Sequence, residues 1–452
     1  MGKTALKIVS ALALFWPAGL SAAVDAAHAA ALGKNLTPVG AERQGNAAGT
    51  IPAWEGGLAK DAYPHANGGH YADPFAKDKP LFTITSKNVD QYKEQLTPGQ
   101  LALFAQFPDY TMVVYPTRRT ASFPAAFYQK TRENATKTIL SHGGNGVLNA
   151  TDGVPFPIPK DGAEAVWNVL LRFRGPAFRM NSIEAPVLRN GTYTPSRCSV
   201  DFEPHYNNLD KPLDRRTPNL FFEFLQTFAS PPRLAGSILL VHEPVDQVKQ
   251  HRTAWLYNPG QRRVRLAPTL AYDNLALTAE GLRTYDDYNM YNGSPDRYQW
   301  TLIGKKEMFV PYNSYRLNDP ALRYKDILKA GHLNQEVPRY ERHRVWVLEG
   351  TLKKGFRHLY ARRVFYLDED SWIPLLSDKY DAGGKLSYFA EQHLVNYFEV
   401  PMPWASVTVF YDLPSGRYLA LNLTNEESSP WKERKFPAAY FTPANLRGQG
   451  TR

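Results

Sequence analysis

The chain has 452 residues, of which 43% are hydrophobic and 13% aromatic, so it carries ample apolar side chains for a large folded core. Its formal charge of +10 is spread along the chain without a run of lysine or arginine, which argues against a nucleic-acid-binding tail. Cys198 is the only cysteine, so no intramolecular disulfide can form, and a buried structural thiol is expected.

Residues 1–30 have the pattern of a secretory signal peptide. Lys3 and Lys7 precede a short apolar run, and small residues suited to cleavage follow at Ala23 and Ala29. The apolar run is too short to span a membrane comfortably, and no cysteine stands near the cleavage region to accept a lipid. We therefore expect an exported, soluble mature protein that is not a lipoprotein.

Residues 31–80 are rich in glycine, alanine and proline and are predicted to form an extended arm. Within them, the stretch LTPVGAERQGNAAGTIPAWEGG shows neither a two-residue nor a 3.6-residue hydrophobic period. Its glycines disfavour a helix or a central strand. The arm is either a strap that covers a sheet edge and is anchored by Trp54, which we favour, or a docking arm or lid for a membrane partner.

Capping signals predict three helices. The first covers residues 97–108, where Gln100 completes a capping box, and the second covers residues 161–173. A third is predicted over residues 319–331, where an Asp-Pro pair precedes an apolar pattern and a glycine ends it. Residues 88–96 carry a further, shorter helical signal.

The remaining ordered chain is predicted to be β-structure, concentrated between residues 237 and 393. The stretch RTAWLYNPGQRRVRLAP reads as a hairpin with its turn at Asn-Pro-Gly. Residues 342–393 predict four or five consecutive strands separated by the turns KKG, DEDS and AGGK. Short strands joined by tight turns indicate an antiparallel meander, and hence a sandwich, a barrel or a half-barrel. Without a repeat or a long linker, residues 81–452 are predicted to form a single domain.

The common catalytic motifs are absent: there is no H-E-x-x-H, no G-x-S-x-G and no Walker loop. His343 and His358 are the nearest metal-ligand candidates, but arginines flank both, so ordinary strand histidines are expected. Asp286, Asp287 and Asp296 suit either calcium coordination or a turn-rich loop, and we favour the loop. We therefore predict no catalytic residues, no metal and no cofactor.

Charged residues on the predicted strands and turns are expected to lie at the surface. Asp368, Glu369 and Asp370 fall in a predicted turn, where exposure to solvent is expected. Strand arginines are expected to form surface salt bridges, with contact to anionic headgroups as the alternative. These arginines are Arg262, Arg263, Arg265, Arg342, Arg344, Arg362 and Arg363.

Large apolar residues alternate along the predicted strands and would line one side of a curved sheet. The inner face of a half-open barrel can enclose a ligand, but the same residues can equally pack beneath helices, and both interpretations stay open. The predicted lining residues are Trp255, Tyr257, Trp346, Leu348, Phe365 and Leu367. The predicted lid-helix residues are Leu103, Phe104, Phe107, Trp167, Leu170 and Leu171.

Several stretches resemble DUF1329, a large proteobacterial family of exported proteins of unknown function. They are LTPVGAERQGNAAGTIPAWEGG, WLYNPGQRRVRLAP, DDYNMYNGSPDRYQWTLIGKKEMFVPYN, ERHRVWVLEGTL and RRVFYLDEDSWIPLLSDKYDAGGKLSYF. The C-terminal hairpins are similar to those of the periplasmic lipoprotein carriers LolA and LolB. The resemblance implies an α+β, mostly antiparallel fold: a LolA/LolB-like half-open β-barrel that is closed by helices and preceded by a long N-terminal extended arm.

The resemblance also implies a function. We expect a non-enzymatic periplasmic carrier of a hydrophobic or lipidic molecule, peripheral to the outer membrane. An inner-membrane exporter of the resistance-nodulation-division type and an outer-membrane protein are the implied partners, and nucleic acid is not. The alternatives are a structural adaptor in an envelope complex and a hydrolase acting on lipid or envelope polymer. A filled barrel interior would favour the adaptor, and an open apolar hollow the carrier.

Overall fold

The computed structural model describes residues 24–60, 62–63, 70–247, 249–267 and 272–450, so most of the predicted signal peptide lies outside the described residues. The strands are β1 (Phe82–Thr85), β2 (Thr111–Val114), β3 (Ile139–Leu140), β4 (Val147–Leu148), β5 (Phe178–Val187), β6 (Ser196–Pro204), β7 (Leu220–Phe228), β8 (Ile238–Pro244), β9 (Thr253–Asn258), β10 (Arg263–Leu266), β11 (Tyr298–Pro311), β12 (Tyr340–Leu352), β13 (Arg362–Asp368), β14 (Pro374–Tyr380), β15 (Leu386–Tyr397), β16 (Met402–Asp412), β17 (Arg417–Leu423) and β18 (Trp431–Glu433). The helices are α1 (Ala26–Ala29), α2 (Pro98–Gln106), α3 (Ala125–Asn134), α4 (Gly162–Leu170), α5 (Tyr324–Ile327) and α6 (Pro443–Gly450).

One long antiparallel meander dominates the architecture. Its spatial order is β11-β12-β13-β14-β15-β16-β17-β5-β6-β7-β8-β9-β10, and β18 pairs additionally with β5. The β1–β2 hairpin joins this sheet through a single parallel bridge from Val114 to Tyr340. Among the described residues no pairing links the two ends, so the sheet stays open. The predicted mostly antiparallel α+β fold with an open barrel is confirmed.

Both faces of the central strands are buried. We call the face that carries Leu348 and Phe365 the inner face, and the opposite one the outer face. Direct cross-strand pairs continue the inner face through Ser377, Ala390 and Phe410. Side chains one position away, such as those of Val347, Val364 and Phe389, form a separate core on the outer face.

Two of the predicted helices are confirmed. In α2 the Thr97 hydroxyl accepts a hydrogen bond from the main-chain N–H of Gln100, whose side chain accepts one from Thr97 in return. In α4 the Asp161 carboxylate accepts one from the N–H of Glu164. Residues 88–96 form two 3₁₀ turns rather than a helix.

The predicted helix over residues 319–331 is wrong. Only the single turn of α5 forms there, because Arg323, not Asp319, holds the N-cap position, and the Glu426 carboxylate accepts a hydrogen bond from the N–H of Tyr324. Helix α3 was not predicted, since it has no side-chain cap. Strands β5 to β7 fall under the general expectation of β-structure but were not located individually, since β7, for example, is a run of apolar and polar residues without strict alternation.

The arm lies against the folded body. Buried side chains of the body hold it by its main chain, and its own Trp54 is one anchor among several. Gly40 makes the closest approach: at a φ of 96°, an added Cβ would lie 1.7 Å from the carbonyl oxygen of Pro157. The hydrogen bonds that hold the arm run from Trp372 to Val39 O, from Arg119 to Glu42 O, from Arg344 to Gln44 O and from Trp54 to Ala121 O, at 3.0, 2.8, 2.6 and 3.1 Å.

Candidate ligand-binding sites

The structure divides the predicted lining residues between the two faces of the sheet. Leu348, Phe365 and Leu367 are fully buried in the inner-face core, where half-buried Trp346 stacks on Trp372 with ring centres 6.2 Å apart. The helix residues Trp167, Leu170 and Leu171 pack into this same core.

Trp255 and Tyr257 lie on the outer face instead. Each pairs across the sheet with a residue of β8, Leu240 and Ile238 respectively, and the C-terminal residues Phe441 and Leu446 cover them. Their expected place in the ligand hollow is therefore wrong, because the register of β9 turns them toward the C-terminal helix α6.

The first predicted lid helix also lies on the outer face. Leu103 and Phe104 are buried in the outer-face core, and half-buried Phe107 packs against it. Helix α2 begins directly above β14 and β15, where the N–H of Gly99 donates to the Asp378 carboxylate at 2.9 Å. Helices α2 and α4 thus cover opposite faces and do not close one hollow together.

The inner face is occupied by a segment of the chain itself. Residues 272–297, which we call the plug, cross it between β10 and β11 with little regular structure. Leu282, Met290 and Tyr291 of the plug belong to the inner-face core, and the ring of Tyr291 lies 5.7 Å from that of Phe365. The predicted turn-rich loop is confirmed here, but it is a buried loop.

Buried ion pairs attach the plug to the strands beneath it. Asp287 accepts from Lys379 at 2.6 Å, and Asp286 from Arg363 at 2.8 Å. Burial opposes ionisation of both acids, but the Lys379 and Arg363 charges outweigh it and lower the pKa of Asp287 and of Asp286. Arg363 was expected at the surface, but its side chain is fully buried, where it pairs with Asp286 of the plug.

Little free space remains between the plug and the sheet. A hollow of about 40 Å³ lies over β6 to β9, with Val200, Phe224 and Val241 in its floor. The buried atoms Arg283 Nε and Asn292 Oδ1 have no hydrogen-bond partner beside it. This hollow is too small for an acyl chain, so the described part of the inner face is filled in this conformation.

A much larger apolar groove opens elsewhere, between the arm and the body. Its volume is about 690 Å³, which falls in the range of small-molecule sites. Separate segments supply its walls: the arm residues 56–60, the start of α3 and the loops that precede β5, follow β6 and precede β16. Its apolar residues are Leu58, Phe123, Pro124, Ala125, Ala126, Phe173, Pro176, Leu209, Val400 and Pro401.

The polar residues of this groove lie mostly at its rim. Asp210, Glu433 and Lys60 are exposed, and Glu399 accepts a hydrogen bond from the Tyr71 hydroxyl at 2.6 Å. The Ser122 hydroxyl is already bonded to the carbonyl of the arm. The groove therefore offers an apolar wall with an acidic edge, which suits binding by burial of apolar surface.

A second cavity, of about 670 Å³, is more strongly charged. It lies between residues 70–78 and the loop after β11, and Asp73, Asp78, Arg316 and Arg339 contribute to its lining. Asp78 bonds to Arg339 at 2.8 Å, so part of this charge is neutralised internally. For an apolar ligand, the groove beside Leu209 fits better.

The acidic turn between β13 and β14 is buried, against the expectation of exposure. Asp368, Glu369 and Asp370 are at most 2% exposed, because the arm covers them. Arg119 binds both oxygens of Asp370, and Arg344, expected at the surface, bonds to Glu369 at 2.7 Å. Burial and the neighbouring Asp370 charge raise the pKa of Asp368 to about 7.

One donor atom each of His343, Asp368 and Asp370 lie within 4.8 Å of one another, a spacing that a metal ion could use. However, both Asp370 oxygens already accept from Arg119, at 2.7 and 2.8 Å. A second cation would have to sit beside this guanidinium. The cluster therefore reads as an ion-pair network that fastens the arm.

The other charged candidates have local partners. His358 contacts Asp286 at 3.1 Å. Arg362 pairs with Glu349 at 3.1 Å near the surface, in agreement with the sequence expectation for it, and Arg342 pairs with Glu307. Cys198 is buried as predicted, and burial raises the pKa of its thiol to about 12, which makes it a poor nucleophile.

The groove residues were not found from the sequence. Leu58, Phe173, Leu209 and Val400 are far apart in the chain, and each belongs to a loop or an irregular segment without hydrophobic periodicity. A local pattern cannot identify a wall assembled from such segments. Only one feature of the sequence pointed toward the groove. Residues 36–57 lack a hydrophobic period, which indicates a segment that packs on the folded body rather than forming a helix or strand of its own.

These features define an antiparallel β protein with an open sheet, a filled inner face and an apolar groove beside its arm. The model of the family described as "Protein of unknown function (DUF1329)" matches residues 83–447, and the chain belongs to this family. It is 50% identical over 437 residues to the uncharacterized protein PA3922 of Pseudomonas aeruginosa, with 95% of both chains covered.

Solved structures show a more distant similarity. A domain assigned to outer membrane lipoprotein sorting from Vibrio parahaemolyticus is 15% identical, with a TM-score of 0.43, and covers 63% of this chain and 98% of its own. A LolA superfamily protein from Nitrosomonas europaea is 14% identical, with a TM-score of 0.38 and the same coverages. No helix of the described residues is long and apolar enough to cross a membrane.

Proposed function

We propose that this protein is a non-enzymatic carrier that binds a hydrophobic or lipidic molecule in the apolar groove beside its arm. The single observation that carries the proposal is the groove of about 690 Å³ with apolar walls. Burial of each methylene of a ligand there contributes about 0.8 kcal/mol. An exported location in the periplasm, with peripheral contact to the outer membrane, is part of the proposal.

The role of the arm follows from this site. Gly56 and Leu58 contribute to one wall of the groove, while residues nearer the start of the arm are fastened by buried hydrogen bonds. The arm therefore acts as a strap over its first part and as a groove wall over its second. Movement of the second part would open the groove while the hydrogen bonds of the first part stay intact.

The groove offers no obvious catalytic arrangement. Its described lining contains neither histidine nor cysteine, and the Ser122 hydroxyl donates to the carbonyl of Leu58 at 2.6 Å. A nucleophile needs an adjacent base to be activated. For this reason we place the hydrolase alternative behind the carrier.

Native mass spectrometry of the mature protein, purified from the periplasm without detergent, tests the proposal. We expect a stoichiometric apolar adduct that solvent extraction releases. The variant Leu209→Glu places a charge on the groove wall and should lose the adduct. Leu266→Glu is the matched control, because Leu266 is 58% exposed on β10 and does not line the groove.

Two results would contradict the carrier. One is an apo mass that stays unchanged after incubation with an envelope lipid extract. The other is an adduct that both leucine variants retain equally, which would place the ligand elsewhere. Folding of each variant is checked beforehand by its thermal unfolding curve.

A structural adaptor is the second candidate, and the filled inner face favours it. The plug and α4 occupy the space that a ligand would use in an open barrel. In that case the partners would bind to the outer surface of the protein. The family resemblance implies an inner-membrane exporter of the resistance-nodulation-division type and an outer-membrane protein as these partners. A protein that remains free of ligand but co-purifies with either partner would support the adaptor.

A further inference from the structure

Two arginines at the end of α4 are buried next to each other without an acidic partner. Arg172 and Arg174 are 6% and 8% exposed. Among the described residues neither forms an ion pair, although most buried cations of this protein do. The charge of Glu243 acts on Arg174 from a distance, but Glu243 itself is paired with Arg252 at 2.6 Å. Burying a charge without a direct ion-pair partner is costly, so an additional stabilising group is expected at this site.

The protein itself supplies only part of that compensation. Arg172 Nη1 donates to Val169 O at 2.7 Å and Arg174 Nη1 to Leu170 O at 2.8 Å, which caps the negative end of α4. The Arg174 guanidinium also lies over the rings of Phe222 and Phe221, 5.3 and 5.8 Å from their centres. These contacts leave Nε and Nη2 of Arg174 buried and without a hydrogen-bond partner.

A small cavity lies beside these two arginines. Both arginines line it, together with aromatic side chains of β6 and β7 and the loop after β6. It offers about 10 Å³ to the centre of a water-sized sphere, which is room for one such species. Its remaining lining residues are Leu171, Phe202, Pro204, Tyr206, Phe221 and Phe222.

We propose that Arg172 and Arg174 form a buried binding site for a single monatomic anion of the halide class, with chloride as the natural ligand. The anion accepts hydrogen bonds from Nε and Nη2 of Arg174 and offsets the charge of both guanidinium groups. Burial and the like charge of Arg174 lower the pKa of Arg172, and the proposed anion would reverse that shift. The cavity shares no lining residue with the apolar groove, and the proposal does not depend on a ligand bound there.

Bromide replaces chloride in such sites and can be located by its anomalous scattering. In crystals of the full mature chain soaked in bromide, we expect one buried peak within hydrogen-bond distance of Arg174 Nε or Nη2. A water molecule only, with no bromide signal, would overturn the proposal. This measurement does not depend on whether any variant folds.

Thermal unfolding at constant ionic strength gives a second test. Chloride should raise the Tm by about 2 °C relative to gluconate, which is too large for the cavity. Arg174→Met should abolish this difference, while Arg265→Met, an exposed arginine on β10, should retain it. An equal Tm of the unmodified protein in both salts would overturn the proposal.

Discussion

Arg119 and Asp370 form a bidentate ion pair beneath the arm, with Nε–Oδ2 and Nη2–Oδ1 distances of 2.8 and 2.7 Å. The two side chains are 2% and 1% exposed. The same guanidinium donates to the main-chain carbonyl of Glu42 at 2.8 Å. This pair therefore joins three parts of the chain: the segment after β2, the turn between β13 and β14, and the arm.

Asp370→Asn should reduce the free energy of unfolding by about 3 kcal/mol, because the buried Arg119 would lose its bidentate carboxylate and keep only the longer contact to Glu369, at 3.4 Å. Urea unfolding measures the difference. Lys130→Met is the control, since Lys130 and Glu133 are paired but 43% and 37% exposed. The control should change stability by less than about 0.5 kcal/mol. Equal losses in both variants would contradict the assigned role of the buried pair.

Two glycines of the arm allow a test of how tightly it is docked. Both have a positive φ, 96° at Gly40 and 66° at Gly49, but only Gly40 approaches the body closely. Gly49→Ala should cost about 1 kcal/mol for its backbone conformation alone. Gly40→Ala adds a clash with Pro157 O and should cost about 3 kcal/mol in thermal unfolding. Similar costs for the two variants would show that the arm is loosely held.

The sequence was informative where a structural feature is local. The capping box at Thr97 and the N-cap at Asp161 place α2 and α4, and the turn residues of 252–268 place the β9–β10 hairpin. The short strands and tight turns likewise predicted the antiparallel meander, whereas its half-open form was implied by the resemblance to LolA and LolB. Each of these signals is contained within about a dozen residues.

Features that depend on register or on distant segments were not predictable in this way. The register of β9 decides that Trp255 faces α6, and a shift of one residue would have reversed it. The acidic turn at Asp368 is hydrophilic by composition, and only the arm, more than 300 residues earlier in the chain, makes it buried. The local sequence around Trp255 or Asp368 does not indicate that α6 or the arm will cover it.

The plug should depend on its buried ion pairs. Lys379→Met removes the cation that Asp287 contacts at 2.6 Å and leaves the carboxylate with neutral donors only. We expect hydrogen exchange of the amides of residues 276–292 to become about tenfold faster than in the unmodified protein. Lys353→Met, at an exposed position, is the control. Unchanged exchange in the plug would mean that its apolar contacts alone hold it.

Titration of Asp378 should make the free energy of unfolding depend on pH. Burial raises the pKa of this carboxyl to about 7, although the Tyr366 hydroxyl and the N–H of Gly99 donate to it at 3.0 and 2.9 Å. In the unfolded chain its pKa is about 3.9. Between these values the folded state holds a proton that the unfolded state has released, so this group lowers stability as pH rises from about 4 to about 7.

The variant Asp378→Asn isolates this effect, because asparagine keeps the acceptor for Gly99 and carries no charge. Relative to the unmodified protein, it should gain on the order of 4 kcal/mol in unfolding free energy between pH 4 and pH 8. Comparing the two proteins at each pH cancels the contributions of Asp368 and other titrating groups. A difference in unfolding free energy that stays constant over this range, or that moves against the variant as pH rises, would contradict the raised pKa of Asp378.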